Sequence, residues 1–303
     1  MHQGFAQRDA APTGYGAITA PAKINLTLEV LARRPDGYHG VRSVMVPVGW
    51  YDRLRWEPAE QFAFVSSERS LQEGNIIARA CERLGIDSRP LRLTLEKQLP
   101  TGGGLGGGSS DAAAVLRAAM SGAFGPLGDR DWTAIARALG SDVAFFLVGT
   151  GALVEGTGER VTAAGRLPAW WTALYVPTVA VATGPAYELL DAARVRAAAP
   201  TRPRNDSASV RLVEALQRAA FDEVVALAQN DFEPVIAELH PPIATALAAL
   251  RTGGARLAML SGSGSCVFAL AETETEAKAV AEASGLEPDR VHVVPFVTGD
   301  AWR

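Results

Sequence analysis

Three groups of residues could carry chemistry, and they lie far apart in the chain. Lys23 and Asn25 occupy alternate positions of PAKINLTLEV, and in an extended segment residues two apart face the same side. An ammonium and an amide displayed together can hold a charged or hydroxylated ligand. A solvated edge lysine beside a turn-type asparagine would show the same pattern. Six of the seven residues at 102–108 are glycine, and Ser109, Ser110 and Asp111 then head an alanine-rich run. Asp142 stands between Gly140 and the apolar run 143–148, where a carboxylate is either a helix N-cap or a partly desolvated base.

The glycines are the most demanding of these features, because glycine loses more conformational freedom on folding than any other residue. Their flanks suggest why they are there. Leu91, Leu93 and Leu95 alternate with Arg92, Thr94 and Glu96, the period of a half-buried strand. Beyond the loop, Ser109 or Ser110 can cap a helix over 112–120, which is rich in good helix formers. A strand, a glycine loop and a helix N-terminus bring backbone N–H groups and the helix dipole together on an anion. A flexible linker is the alternative, although linkers rarely lead straight into a capped helix. The loop is not a Walker A sequence, since no lysine follows it. Gly102, Gly104 and Gly107 satisfy G-x-G-x-x-G, as almost any run so rich would, and the alternating strand does not suit the buried first strand of a dinucleotide fold. Any cation for a bound phosphate must come from elsewhere.

Two further segments are candidates. Pro-Asp-Gly at 35–37 is a turn signal, and Tyr38 and His39 follow it. An aromatic ring beside an imidazole can stack on and hydrogen-bond a nucleobase, though most such pairs after turns do neither. SGSGSC at 261–266 joins two apparent strands, either as a tight hairpin turn or as a second glycine loop whose amides face a ligand. The four histidines show no zinc spacing, and no G-x-S-x-G elbow is present.

The elements that must position these residues follow from pattern. Strands are expected over 16–66 (AITA, INLTLEVLAR, VRSVMVPVGWYDRLRWE and QFAFV), a helix over 75–85, a helix over 131–139 and a hairpin over 152–163. A strand at 170–177 follows a change of composition near 165–168. Helices are expected at 186–196, 207–218, 242–251 and 273–284, strands at 255–260, 266–271 and 291–297, and an exposed loop at 197–206. Strands grouped early rather than alternating with helices imply an α+β protein. The expected division is an extension at 1–15, a first domain at 16–166 and a second at 167–303. The 303 residues, 48% hydrophobic and 20% charged, can build one large or two ordinary cores. A net charge of −4 gives no electrostatic reason for a nucleic-acid or membrane partner. Cys81 and Cys266 read as core thiols of a protein in a reducing cytoplasm, and residues 1–15 lack the apolar centre of a signal peptide.

Taken in order, PAKINL, PDGYH, LPTGGGLGGGSSDAA, GSDVAFF and SGSGSC resemble the GHMP kinase superfamily. RRPDGYH, GGGLGGGSS, NIIARA, VPT and NDFE make the likeness strongest to its branch acting on 4-diphosphocytidyl-2-C-methyl-D-erythritol, over about 19–297. The resemblance implies a two-domain α+β GHMP kinase fold, with an N-terminal nucleotide-binding domain and a C-terminal ferredoxin-like domain. It implies transfer of the γ-phosphate of ATP to the 2-hydroxyl of that substrate, a step of non-mevalonate isoprenoid synthesis. Lys23 and Asp142 then match the catalytic pair, and Asn25, Tyr38, His39 and Thr178 match substrate positions. Pro100, Thr101, Gly102, Gly103, Gly104, Leu105, Gly106, Gly107, Gly108, Ser109 and Ser110 match the ATP phosphate loop, with Asn75 and Lys97 near the nucleotide. Magnesium is expected with ATP, its ligands unnamed by the sequence beyond Ser110 as a candidate. The expected partner is a small molecule, with no nucleic acid and no membrane, and the enzyme a cytoplasmic monomer or homodimer. Two features depart from the pattern: Gly40 stands where a bulkier residue is usual, and no aromatic lies between Val179 and Thr183 to stack on cytosine.

Overall fold

The first strand pair is longer and more deeply buried than its sequence suggests. In the computed structural model, which describes residues 14–35, 37–72, 74–196 and 207–298, AITA and INLTLEVLAR merge into one strand, β1 (Gly16–Arg33). The expected loop at 197–206, and all but the last two residues of the expected extension, lie outside the described residues. Pro21 does not end β1 because it sits at a register shift, where a ladder donor is not required. β2 (His39–Pro58) runs antiparallel to β1. Every residue of β1 from 20 to 30 is buried, so both of its faces are covered. Lys23 is therefore interior, 3% exposed, and the edge-lysine alternative falls.

β3 (Ala63–Ser66) pairs in parallel with β4 (Leu91–Glu96), and β4 pairs antiparallel with β2. The hairpin of β5 (Ala152–Gly156) and β6 (Arg160–Ala163) docks on β2 further along. α1 (Ile76–Leu84), α2 (Gly107–Met120), α3 (Trp132–Leu139) and the short α4 (Val143–Val148) accompany this sheet. Ala112, Ala113, Ala114, Ala118 and Ala119 are all buried in α2, which is covered almost all round and packs on both β1 and α1. Small side chains allow that close approach.

β7 (Trp171–Tyr175) opens a second, four-stranded antiparallel sheet in the order β11–β7–β10–β9. Its other strands are β9 (Leu257–Leu260), β10 (Val267–Ala271) and β11 (Val291–Pro295), and they coincide with the expected ones within a few residues. α5 (Thr183–Arg196), α6 (Ala208–Gln217), α9 (Pro241–Thr252) and α10 (Glu274–Ser284) answer the four expected helices. α7 (Phe221–Leu227) and α8 (Glu233–Leu239) were not expected, since seven residues are too few to display a helical period. The two-residue β8 (Gln229–Asn230) crosses back and pairs in parallel with β1, and a bridge joins Val48 to Phe296, so the two sheets share apolar packing. Among the described residues no helix is long and apolar enough to cross a membrane.

α10, packed on the second sheet, opens with a capping box. The Thr273 hydroxyl accepts from the Glu276 amide at 3.2 Å, and Glu276 accepts in return from the Thr273 amide at 3.2 Å. Thr273→Ala is expected to lower unfolding free energy by about 1 kcal/mol in urea titration, with unchanged turnover.

Candidate active site

The glycine loop spans the end of β4 and the start of α2. α2 begins at Gly107, ahead of the serines expected to cap it, because Gly106 at φ +72° makes the turn and no side-chain cap is present. Ser110 is the first residue whose amide reaches an acceptor within the helix, the Gly106 carbonyl at 2.9 Å. The amides of Gly107, Gly108 and Ser109 precede it at the positive end of the helix dipole, and all three residues line a cavity of about 1350 Å³.

The loop is pinned at its base by a residue the sequence reading missed. Asp52, fully buried on β2, accepts from the amides of Gln98 (2.6 Å) and Leu99 (2.8 Å) just before the glycines. Lys97 donates to the other oxygen of Asp52 and to Asp111 Oδ2 at 2.9 Å, just after them. Its ammonium lies beneath the first turn of α2, where a methyl group at Gly107 would sit 3.0 Å from it. Burial pushes the Asp111 carboxyl up to about 7, with Lys97 opposing that rise and Asp52 adding to it. Burial pulls Lys97 down, but Asp111 and Asp52 outweigh it and leave the ammonium favoured. An aspartate at a buried strand position is the signal that could have revealed Asp52.

Lys23 supplies the cation absent from the loop. Its amide donates to the Leu105 carbonyl at 2.9 Å, and its stem crosses Gly106, where a Cβ would approach Lys23 Cγ to 3.0 Å. The ammonium donates to Asn25 Oδ1 at 2.6 Å and stands 3.7 Å from Asp142 Oδ2. Asn25 in turn donates to Ser43 Oγ at 2.8 Å, which fixes its amide. Burial lowers the pKa of Lys23, and the nearby Asp142 charge opposes that fall. Asp142 occupies the N-cap position of α4 but makes no capping bond, and its side chain keeps 24% exposure toward the cavity. The capping alternative falls with that geometry.

The Ser-Gly turn is both a hairpin and a wall of the cavity. It joins β9 to β10, and it also reaches the glycine loop. The Cys266 amide donates to the Gly103 carbonyl at 3.1 Å, and Ser261 Oγ donates to the Gly104 carbonyl at 3.1 Å. Both cysteines are buried and free, and burial holds the Cys266 thiol up near 12, so it is inert packing.

At the far end of the cavity, His39 is held on both ring nitrogens. Nδ1 lies 3.0 Å from the Leu31 carbonyl and Nε2 lies 3.1 Å from Asp191 Oδ2. The ring stacks on Tyr187, centroids 5.3 Å apart at 17°. Tyr38 stands 69% exposed at the cavity wall. Thr183, Tyr187 and Asp191 recur every fourth residue on α5 and all line the cavity. That helical face supplies an aromatic where the 179–183 segment has none, and its i, i+4, i+8 spacing was the signal available in the sequence.

The cavity thus gathers Lys23, Asn25, Tyr38, His39, Asn75, Lys97, residues 100–109 and Asp142. Asn75 faces it with its amide already engaged, accepting from Ile77 N at 2.8 Å to cap α1 and donating to the Leu71 carbonyl at 2.9 Å. Two expected residues are not brought there. Thr178 is exposed beyond the end of β7, and Thr183 is the threonine on the wall, 3.0 Å from Ser263 Oγ. Ser110 is fully buried within α2, its hydroxyl without a hydrogen-bond partner. Among the described residues no group of three or more His, Cys, Asp or Glu side chains could hold a metal ion.

Comparison with known proteins shows the family. Residues 74–150 match the GHMP kinases N terminal domain, and residues 212–284 match the model described as GHMP kinases C terminal. The 4-diphosphocytidyl-2-C-methyl-D-erythritol kinase of Symbiobacterium thermophilum is 38% identical over 293 residues, covering 94% of this chain and 97% of that protein. The one from Cereibacter sphaeroides is 40% identical over 283 residues, covering 91% and 96%. A crystal structure of 4-(cytidine 5'-diphospho)-2C-methyl-D-erythritol kinase superposes with a TM-score of 0.73 at 32% identity, covering 94% of this chain and all of that one. A homoserine kinase from Cytophaga hutchinsonii shares the fold alone, with a TM-score of 0.68 at 19% identity. The chain is a small-molecule kinase of GHMP fold and belongs to the 4-diphosphocytidyl-2-C-methyl-D-erythritol kinase family.

Proposed function

We propose that this enzyme transfers the γ-phosphoryl group of ATP to the 2-hydroxyl of 4-diphosphocytidyl-2-C-methyl-D-erythritol, with Asp142 and Lys23 as the catalytic pair. The observation that carries the reading is the approach of Lys23 Nζ to within 3.7 Å of Asp142 Oδ2 beside the glycine loop. Phosphoryl transfer depends on positioning and charge stabilisation more than on covalent chemistry. The amides of Gly107, Gly108 and Ser109 receive phosphate oxygens, and the Asp142 carboxylate takes the proton from the attacking hydroxyl. The Lys23 ammonium offsets the charge that builds between alcohol oxygen and phosphorus. Asn25 fixes that ammonium, and Asp52 with Lys97 holds the loop that receives ATP.

The cytidine end lies where His39, Tyr38 and Tyr187 meet. The stacked His39 and Tyr187 rings offer aromatic faces and the Thr183 hydroxyl a polar contact, so Tyr187 takes the role left open at 179–183. Magnesium belongs to the same proposal. The Ser109 hydroxyl and the unpartnered Asp111 Oδ1 are oxygen donors at the nucleotide end of the cavity and suit a hard cation, held mainly by ATP phosphates, that would neutralise phosphate charge. The proposed domain division stays at 166/167, supported by the start of the second sheet at Trp171. A cytoplasmic monomer or homodimer fits an enzyme using ATP with two free thiols.

A coupled assay under ATP and magnesium tests the reading, comparing the diphosphocytidyl acceptor with mevalonate and homoserine. Turnover is expected with the first and not with the other two; the reverse order would reject it. An acceptor lacking the base should lose about 10–100-fold in kcat/KM, the worth of one base stacked on an aromatic face. Equal kcat/KM with and without the base would reject the His39–Tyr187 site.

A further inference from the structure

The segment NDFE (230–233) takes no part in the chemistry above, yet its side chains tie together elements that surround the cavity: the Ser-Gly turn, β1 and α5. Asn230, buried in β8, donates from Nδ2 to the carbonyls of Leu260 and Gly262, both at 2.8 Å, while its Oδ1 accepts from the Phe232 amide at 2.9 Å. Asp231 Oδ2 accepts from the Val30 amide of β1 and from Arg194 of α5, both at 2.9 Å. Phe232 packs edge-on against Tyr187, centroids 4.9 Å apart at 90°. Glu233 Oε2 accepts from the Leu260 amide at 2.8 Å. Asn230 is itself paired with Leu28 on β1, the strand that carries Lys23.

The wall held by Asn230 is the Ser-Gly turn, and its placement bears on both halves of the reaction. A methyl group at Gly262 would come 3.2 Å from Lys23 Nζ and 3.1 Å from the Gly104 carbonyl, so the turn's backbone lies against the catalytic ammonium and the phosphate loop together. The same turn reaches Thr183 through Ser263. Asn230 bonds two carbonyls buried away from water, which have no equivalent donor once its amide is removed.

We propose that Asn230 is a positioning residue: its paired bonds to the Leu260 and Gly262 carbonyls seat the Ser-Gly turn against Lys23 and the glycine loop, and so set how the acceptor hydroxyl meets the γ-phosphate. The inference rests on the kinase reading of the site. Displacing a reacting group by about 1 Å can lower the rate some 10²-fold without abolishing binding.

Asn230→Asp keeps the size and removes both donors, and Asn230→Ala removes the side chain. Each should lower kcat about 10²-fold at saturating ATP and acceptor, with both KM values within a few-fold of the wild type. Thr172→Val, which deletes a buried bond to the Ala269 carbonyl at 2.8 Å in the second sheet, the one that carries the Ser-Gly turn, serves as the comparison for stability alone. It should lower Tm and leave kcat per folded molecule unchanged. Asn230 variants that lose Tm but keep full kcat, as Thr172→Val does, would overturn the proposal. Gly262→Ala, at a φ of +60°, presses a methyl on Lys23 Nζ and the Gly104 carbonyl and so tests whether the seating of the turn matters to kcat, even if both Asn230 variants fail to fold. Full turnover in that variant would overturn the proposal. Absence of turnover in the wild type with the diphosphocytidyl acceptor would reject the kinase reading instead.

Discussion

Asp142→Asn is expected to lower kcat by about 10²–10⁴-fold, the usual worth of a positioned general base, while ATP binding stays near the wild type. No cap is lost, because Asp142 makes no capping bond to α4, but Tm should fall somewhat because the buried Lys23 ammonium loses its nearest opposite charge. ATP binding should survive because the loop amides are set by Gly106 and by the Asp52–Lys97–Asp111 cluster, none of which touches Asp142 in the hydrogen-bond network. The pH profile gives an independent reading. Burial lowers the Lys23 pKa, and the Asp142 charge holds part of that fall back. Activity needs the ammonium, so it declines as pH rises through the Lys23 pKa. Without Asp142 that pKa falls further, and the alkaline limb of the residual activity moves to lower pH. Unchanged kcat in the variant would reject the base assignment, and an alkaline limb that stays in place would reject the Lys23–Asp142 coupling.

Gly104→Ala is expected to damage both substrate binding and stability. Gly104 has φ +74°, a conformation that costs an L-residue about 1–2 kcal/mol. Its added Cβ would also overlap the Ser261 carbonyl and come within 2.9 Å of the Gly264 carbonyl. Neither obstacle is the end of a flexible side chain, so the glycine loop and the Ser-Gly turn must part. The KM for ATP should rise about 10²-fold, as a 1 Å misplacement would produce. Gly122→Ala is the matching control. Its φ of +82° carries the same strain, but no atom lies within 4 Å of the new methyl and the residue is not on the cavity wall. It should lose only the increment of stability that backbone strain costs, about 1–2 kcal/mol, and keep the ATP KM. Equal KM values in the two variants would show that the contact between loop and turn does not govern nucleotide binding.

Much of the site was legible before any coordinates. The alternation of Lys23 and Asn25 placed them on one face, and they do share a hydrogen bond. The glycine run preceded a helix, as its flanks implied, although the helix starts at Gly107, three residues earlier than a cap at Ser109 would allow, because Gly106 can turn at positive φ. NIIARACERLG was readable as a helix ending at its glycine, and the structure adds the Asn75 side chain as its N-cap. Thr178 was misplaced and Thr183 was not assigned, because the strand ends at Tyr175 and the chain turns away from the cavity before α5 brings it back.

The sequence alone determined which residues are able to act, since local period and backbone preference decide what a lysine on a strand or a glycine before a helix can present to a ligand. Tertiary structure decided which of them meet. Asp52 closes on the glycine loop from a strand some 45 positions earlier, Asp142 comes to Lys23 across 119 residues, and Asn230 reaches over 30 to hold the Ser-Gly turn. No periodicity encodes those pairs: they follow from the stacking of buried strands and helices that leaves each of these polar groups a single neighbourhood in which to find its partner.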